Sequence, residues 1–374
     1  MNIIKKFRKS EKGSITVMVL SAMLFLIGVI TVSYFAMSNK SIDQNKKVSQ
    51  IAKQYKASDE KMEKEYQKAV NNVSLTIEQA QSKGMFEKKS NTELVDDYGN
   101  KIVIPAGFKV TNDAKNVTEG IVIEDENGNQ FVWIPVGEIY TDVEKTQLGK
   151  KTIKLGRYQF AEDGTETEYT GDYIEETFKE HDSNYGNVIA KDIENFKISS
   201  INNNGYYIGR YEARKNSEGN ISEVGTDTVY NNVSQADAAK IARNMYDETL
   251  EFTSDLVNSY AWDTAIVFLQ RFDNRTNKKI GTYSRQDSLN TDNIAIQGTN
   301  NLKDIEKQDK ICNVCDMSSN CLEWSTETYK SVEAPFVVRG GVFNDNNLYT
   351  SGRVNTNGNS ITSCMSFRPI LYLK

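Results

Sequence analysis

Asn313-Val314-Cys315-Asp316-Met317-Ser318-Ser319-Asn320-Cys321-Leu322-Glu323-Trp324 decides how this chain is read, and the segments on either side of it supply the fold class. Downstream, Phe336-Val337-Val338-Arg339 and Phe367-Arg368-Pro369-Ile370-Leu371-Tyr372-Leu373 carry strand signals, short apolar runs bounded by polar and glycine-rich stretches. Upstream, two helices are expected. One starts at Ser234, where Ser-Gln-Ala-Asp forms a capping box with Asp237, and it sets Ile241 and Met245 one turn apart. The other carries Trp262, Ala265, Ile266, Phe268, Leu269 and Phe272, a stripe wide enough to face a core. Earlier still, beyond about Asn91, short apolar runs are broken by Asn, Asp and Gly. They are Lys101-Ile102-Val103-Ile104, Ile121-Val122-Ile123, Phe131-Val132-Trp133-Ile134 and Tyr206-Tyr207-Ile208-Gly209-Arg210-Tyr211-Glu212. Glu126-Asn127-Gly128-Asn129 reads as a hairpin turn, because Asn-Gly tolerates positive φ at both central positions. Strands and helices mixed in this way predict one α+β domain, and about 280 residues are enough to bury a substantial core.

In their order along the chain these motifs resemble the formylglycine-generating-enzyme-like (sulfatase-modifying factor) domains, whose fold is of the C-type-lectin type. Phe131-Val132-Trp133-Ile134-Pro135-Val136-Gly137 is similar to the family's opening strand, and Gly205 to Glu212 to its second signature strand. Ser259-Tyr260-Ala261-Trp262-Asp263 resembles the start of its helix, and Asn313 to Trp324 its "NvyDMaGNvwEW" motif. Arg339-Gly340-Gly341 and Ser366-Phe367-Arg368-Pro369 resemble its closing pieces. The resemblance covers roughly residues 100–374. It implies a C-type-lectin-like, formylglycine-generating-enzyme-like head in which Trp324, Arg339 and Arg368 are structural.

The same resemblance implies where redox chemistry would sit. The enzymes of this family hold copper through two cysteines, about five residues apart, just after the Arg-Gly-Gly strand. Here those positions fall at or near Asp345 and Thr350. A soft metal in its reduced state needs thiolates, and a carboxylate with a hydroxyl is no substitute. Histidine-dependent relatives need more than His181, the single histidine, which lies in a polar stretch and is read as a solvated surface residue. A Ser-His-Asp triad is improbable for the same reason. The expectation is therefore a head without catalytic residues, metal or cofactor.

Four cysteines stand elsewhere, at Cys312, Cys315, Cys321 and Cys364. Zinc would need a second close ligand pair, and a redox-active Cys-x-x-Cys usually opens a helix after a strand. Disulfides are the ordinary state outside the cytoplasm, with free thiols and zinc as alternatives. In the resembled family the motif carrying Cys321 and the strand after Cys364 belong to one core. That implies Cys321–Cys364; a sterically tight Cys312–Cys315 is the other pairing expected.

Between Gly341 and Phe367 lie six asparagines, Tyr349 and Arg353 among Ser, Thr and Gly. Short amide and hydroxyl side chains hydrogen-bond adaptably, while Tyr and Arg supply rigid contact area, as in paratope loops. A solvated loop uses much the same residues. The candidate contact residues are Asn344, Asp345, Asn346, Asn347, Tyr349, Arg353, Asn355 and Asn357, with Tyr349 and Arg353 expected to dominate. Domains similar to this family also serve as the variable proteins of diversity-generating retroelements, diversified near the C-terminus.

Ser14 to Ala36 is an uncharged run of 23 residues, apolar on every face. At about 1.5 Å per residue it spans a hydrocarbon core of roughly 30 Å. Lys5, Lys6, Arg8, Lys9 and Lys12 precede it and favour a cytoplasmic N-terminus, although Lys40, Lys46, Lys47 and Lys53 follow closely. Lys12 to Val17 resembles a type IV prepilin leader, with Met18 where that family usually has glutamate. From Ile42 to about Gln81 apolar residues recur at helical spacing, which reads as a long helix, either self-associating or solitary, that ends at Gly84. The expected organisation is a basic cytoplasmic tail (1–13), a transmembrane helix (14–37), a helical stalk (38–84) and the head (85–374). Net charge −6 argues against nucleic acid as partner. The partners implied are the bilayer, a protein or glycan ligand, and a second stalk. The favoured class is an extracytoplasmic binding or adhesion module. A formylglycine-generating-type oxidoreductase with an altered site and a pilin-like structural subunit are the alternatives. Protease added to intact cells should release a fragment of about the head's size; protection until the membrane is opened would reverse the orientation.

Overall fold

The computed structural model describes residues 75–84, 90–175, 190–225, 227–246, 251–273, 310–330 and 333–374, together with Ser21, Met23, Thr249 and Gly281. The chain divides into two units, Met1–Val73 and Ser74–Lys374, and the architecture below is that of the second. Nearly all of the expected anchor and most of the expected stalk lie outside the described residues, as does His181. Among the described residues no helix is long and apolar enough to cross a membrane.

The expected stalk helix does not run unbroken to Gln81. Leu75–Thr76 is a strand, paired in parallel with Leu94–Val95. Thr76 then caps a separate short helix, α1 (Ile77–Lys83). Its hydroxyl accepts from Gln79 N–H at 3.2 Å, and the Gln79 side-chain oxygen accepts from Thr76 N–H at 3.0 Å. Ile77 and Ala80 are buried in the main core of the head. The apolar spacing at Ile77 thus belongs to a face packed on the head. Gly84 ends the helix with φ of 79°, a backbone that glycine adopts without strain.

The head is a mixed α+β structure, rich in strands. Its first sheet is built from β1 (Lys109–Val110), β2 (Val122–Glu124), β3 (Gln130–Pro135), β5 (Gly205–Gly209), β6 (Phe252–Leu256) and β11 (Pro369–Leu373). The order is β6-β11-β5-β3-β2-β1, antiparallel at every step. The last strand therefore lies inside this sheet, next to the strand of Tyr206 and Tyr207. Helix α2 (Ile193–Asn202) packs on β5 and β11, and α4 (Ser259–Phe272) packs against β3. Trp133, Tyr206, Tyr207, Trp262 and Phe268 fill the space between and are fully buried. Tyr207 still finds a partner, donating to the Val103 carbonyl at 3.0 Å. A Cβ on Gly205 would stand 2.4 Å from the Trp133 ring, so only glycine fits there.

The second sheet contains β4 (Tyr173–Ile174), β7 (Leu322–Tyr329), β8 (Phe336–Arg339), β9 (Arg353–Thr356) and β10 (Met365–Phe367). Antiparallel pairing runs β4-β7-β8-β9, and β10 lies parallel to the start of β7. Trp324 joins a second core cluster with Phe336, Val338 and Phe367, where it meets α3 (Gln235–Asn244) through Ala238 and Ala239. The Trp324 indole N–H donates to the Val233 carbonyl at 2.9 Å.

The helix expected at Ser234 starts there, though the Asp237 carboxylate accepts from the Ser234 hydroxyl, at 2.7 Å, and the capping box is incomplete. Ser234 caps α3 by accepting from Asp237 N–H at 3.2 Å, and Asn258 caps α4 by accepting from Ala261 N–H at 2.9 Å. Ile241 and Met245 are only part-buried and line a surface cleft, while three alanines form the buried face of α3. The Asn127-Gly128 hairpin forms, but with positive φ at Gly128 alone. Asp125 replaces the expected geometry, its carboxylate accepting from Asn127 N–H at 2.8 Å and Asn129 N–H at 2.9 Å. The same lock recurs at Asp96, which accepts from Tyr98 and Asn100 N–H.

Arg368 ties the two sheets together. It is fully buried, donates to both oxygens of Glu323 at 2.6 and 2.8 Å, and reaches the carbonyls of Gly209 at 2.9 Å and Cys315 at 2.8 Å. Burial alone favours the neutral guanidine, but the paired Glu323 reverses this and holds it charged. Arg368→Ala would leave Glu323 buried without its ion pair, a loss of about 3–5 kcal/mol. Urea denaturation of residues 74–374 measures it, and a loss under about 1 kcal/mol would remove Arg368 from this role.

Candidate functional site

The segment between β8 and β9 leaves the core over the Asp316–Asn320 turn. The approach is close: a Cβ on Gly341 would lie 1.9 Å from the Ser318 carbonyl oxygen. Gly341 N–H donates to Met317 and Phe343 N–H to Asn320, so the segment's entrance is hydrogen-bonded to that turn. Beyond it, Asn344, Asn346, Asn347 and Tyr349 are exposed, Tyr349 at 43%. Asp345 is part-exposed, and its carboxylate accepts from the Asn347 backbone at 2.8 Å and side chain at 3.1 Å. The chain then re-enters the core at Thr350, which is fully buried and whose carbonyl accepts from the Trp262 indole at 2.8 Å. Asn355 and Asn357 are exposed again, on β9 and just beyond it.

Arg353 corrects the sequence reading. It was expected to reach outward, yet its guanidinium is engaged inside the head. Nε donates to Glu327 at 2.8 Å, Nη1 to the Tyr158 carbonyl at 3.2 Å, and Nη2 to Asp263. The fully buried Arg339 grips the same two carboxylates from β8 and also donates to the Gly352 carbonyl at 2.9 Å. Arg157 adds a third contact to Glu327 at 2.6 Å. Burial would raise the pKa of Glu327, but Arg339, Arg353 and Arg157 outweigh it and pull the carboxyl below its ordinary value. These ion pairs lock α4, β7, β8 and β9 into one frame.

Above the frame lies a group of tyrosines that sequence reasoning missed. The Tyr169 ring centre is 4.2 Å from the Arg353 guanidinium. Tyr173 stands 6.2 Å from Tyr169 and 4.8 Å from Tyr329, ring to ring. All three are part-exposed, and the Tyr173 hydroxyl donates to the Arg353 carbonyl at 3.2 Å. The pairing of β4 with β7 sets Tyr173 opposite Tyr329, and Tyr169 is held by Arg157, its N–H donating to the Arg157 carbonyl at 2.9 Å. The exposed amides of Asn344–Asn347 and Asn355–Asn357 and these tyrosines are therefore all carried by the same ion-paired frame.

A second polar group lies under the turn. Glu212 accepts from Cys321 N–H at 2.7 Å and from the Asn320 side chain. Burial, with Glu323 and Asp316 nearby, pushes its carboxyl well above the ordinary range. No disulfide joins the four cysteines. Cys312 and Asn313, both at positive φ, form the two-residue turn between the strands Lys310–Ile311 and Val314–Cys315. Cys315 pairs with Lys310 in that hairpin, and burial pushes its thiol up to about 12. Among the described residues no group of three His, Cys, Asp or Glu side chains is placed to hold a metal. No family model, curated protein or solved structure matches the chain.

Glu175 follows β4 and turns its carboxylate inward, accepting from Ser259 N–H at 2.5 Å and from the Thr326 hydroxyl at 2.9 Å. Burial, reinforced by the charge of Glu327, raises its pKa to about 7. A carboxyl raised on folding favours the folded state while protonated, and that contribution is lost as pH climbs from about 4.5 through about 7. Glu175→Gln keeps an acceptor for Ser259 and removes the charge. It should leave stability unchanged at pH 4.5 and raise it at pH 8; equal urea midpoints at pH 8 would contradict this.

Proposed function

We propose that this chain is a membrane-anchored, extracytoplasmic ligand-binding or adhesion protein. Its head is read as a formylglycine-generating-enzyme-like domain of C-type-lectin type, used for binding rather than redox chemistry. The observation that carries the reading is the ion-paired frame of Asp263, Glu327, Arg339 and Arg353 beneath exposed amides and tyrosines. A frame fixed by buried charge pairs lets the residues it displays change without unfolding the domain. Rigid aromatics beside adaptable amides suit recognition of a protein or glycan surface. Asp345 and Thr350, at the positions the resemblance gives to copper cysteines, supply no soft ligand pair. The same division of labour suits a variable protein of a diversity-generating retroelement.

The test separates display from frame. Residues 74–374 are screened on protein and glycan arrays, and hits are re-measured with variants. Tyr349→Ala with Asn346→Ala should leave the melting temperature nearly unchanged and weaken binding at least tenfold. Arg353→Ala, now assigned to the frame, should lower the melting temperature by several degrees. Binding untouched by the surface pair but lost on a change elsewhere would misplace the site. Stoichiometric copper with conversion of a cysteine peptide would replace the reading with an enzymatic one.

A further inference from the structure

Cys321 and Cys364 meet where β10 begins to run alongside β7. The parallel register sets Leu322 opposite Met365, and Leu322 N–H donates to the Cys364 carbonyl at 2.9 Å. One position back on each chain, just outside the paired strands, are the two cysteines. A disulfide spans a Cα separation of roughly 4.4–6.8 Å, within reach of two chains one residue from a parallel pairing. The Cys321 sulfur is 3.8 Å from the carbonyl of Ser363, the residue before Cys364. Phe343 packs against Cys321 and also belongs to the cluster that Cys364 joins. The sequence separation of 43 residues, which counts against a zinc pair, is removed by the fold.

The two thiols differ in access. Cys321 is buried, while Cys364 is part-exposed, with the Asn344 amide 3.8 Å from its sulfur. Burial, and after it Glu212 and Glu323, hold the Cys321 thiol protonated well above the ordinary range. An external reagent therefore meets Cys364 first.

We propose that Cys321 and Cys364 are an oxidisable pair that closes by exchange with an external disulfide of the glutathione class. The Cys364 thiolate attacks one sulfur of that disulfide, forming a mixed disulfide and releasing one thiol. Cys321 then gives up its proton and its thiolate attacks the Cys364 sulfur, the mixed bond breaks, and the second leaving thiolate takes up that proton. Two protein thiols are oxidised and one external disulfide is reduced to two thiols. The bridge pins the far end of the 344–363 segment to β7, at the edge of the proposed contact surface. Its formation does not depend on the ligand-binding reading. Cys312, in the two-residue turn, and Cys315, on the strand after it, are left out of it.

The full-length chain in detergent micelles is exposed to oxidised glutathione and weighed intact. The expected product has lost two hydrogens, carries no glutathione, and yields a peptide joining Cys321 to Cys364. Cys321→Ser should trap one glutathione on Cys364, whereas Cys364→Ser should leave Cys321 unmodified. A wild-type chain that keeps stable glutathione adducts, stays fully reduced, or maps its bridge to other cysteines overturns the proposal. Faster modification of Cys364→Ser than of Cys321→Ser would overturn the order of attack.

Discussion

The surface proposed for recognition depends on the Glu327 carboxylate, buried at the centre of the second sheet and held by Arg339, Arg353 and Arg157. Asp263 shares two of those arginines from the first turns of α4. Charges taken out of water are costly unless each meets an opposite charge in good geometry, so the arrangement is intolerant of losing any one member. It is also selective, because only one register of β7, β8 and β9 brings these groups together. Three arginines face two carboxylates there, and Glu175 is the third acid nearby, with Arg157 drawing it toward the ionised form against burial. The charge balance of the frame is thus linked to a group that titrates near neutral pH.

A second ionic centre, Arg368 with Glu323, joins the two sheets in the same manner. Between them the two centres fix both ends of the segment from Gly341 to Phe367. Arg339 stands just before it, and Arg368 just after. The exposed asparagines and Tyr349 lie between two immobile points, and none of them takes part in the ion pairs. This separation of load from display is the physical basis for reading the surface as a place of recognition.

The elements with local causes were legible in the sequence. Ser234 caps a helix because its side chain satisfies one of the first free N–H groups, and the strands of Trp133 and Tyr207 announce themselves by apolar runs. What depends on distant partners was not legible. Arg353 read as a contact residue because its neighbours are polar, whereas Asp263 lies 90 residues away and Glu327 26. Tyr173 and Tyr329 are unremarkable until a strand pairing sets them opposite each other, 156 residues apart in the chain. At Leu75–Thr76 a helical spacing continued past the point where the chain joins the head, because pairing with Leu94–Val95 outweighed helix propensity. Helix α2 gave little signal, since Ile198 and Ile201 are exposed rather than set on a core stripe.

Hydrogen exchange on residues 74–374, followed strand by strand, tests the frame most directly. In the wild type the amides of β7, β8 and β11 should exchange only through global unfolding, while those of 344–349 exchange far faster. Removing the Arg353 side chain should move β9 into the fast class and leave β11 slow. If β9 keeps its protection without Arg353, the ion-paired centre does not hold the displayed segment, and the account fails at its base.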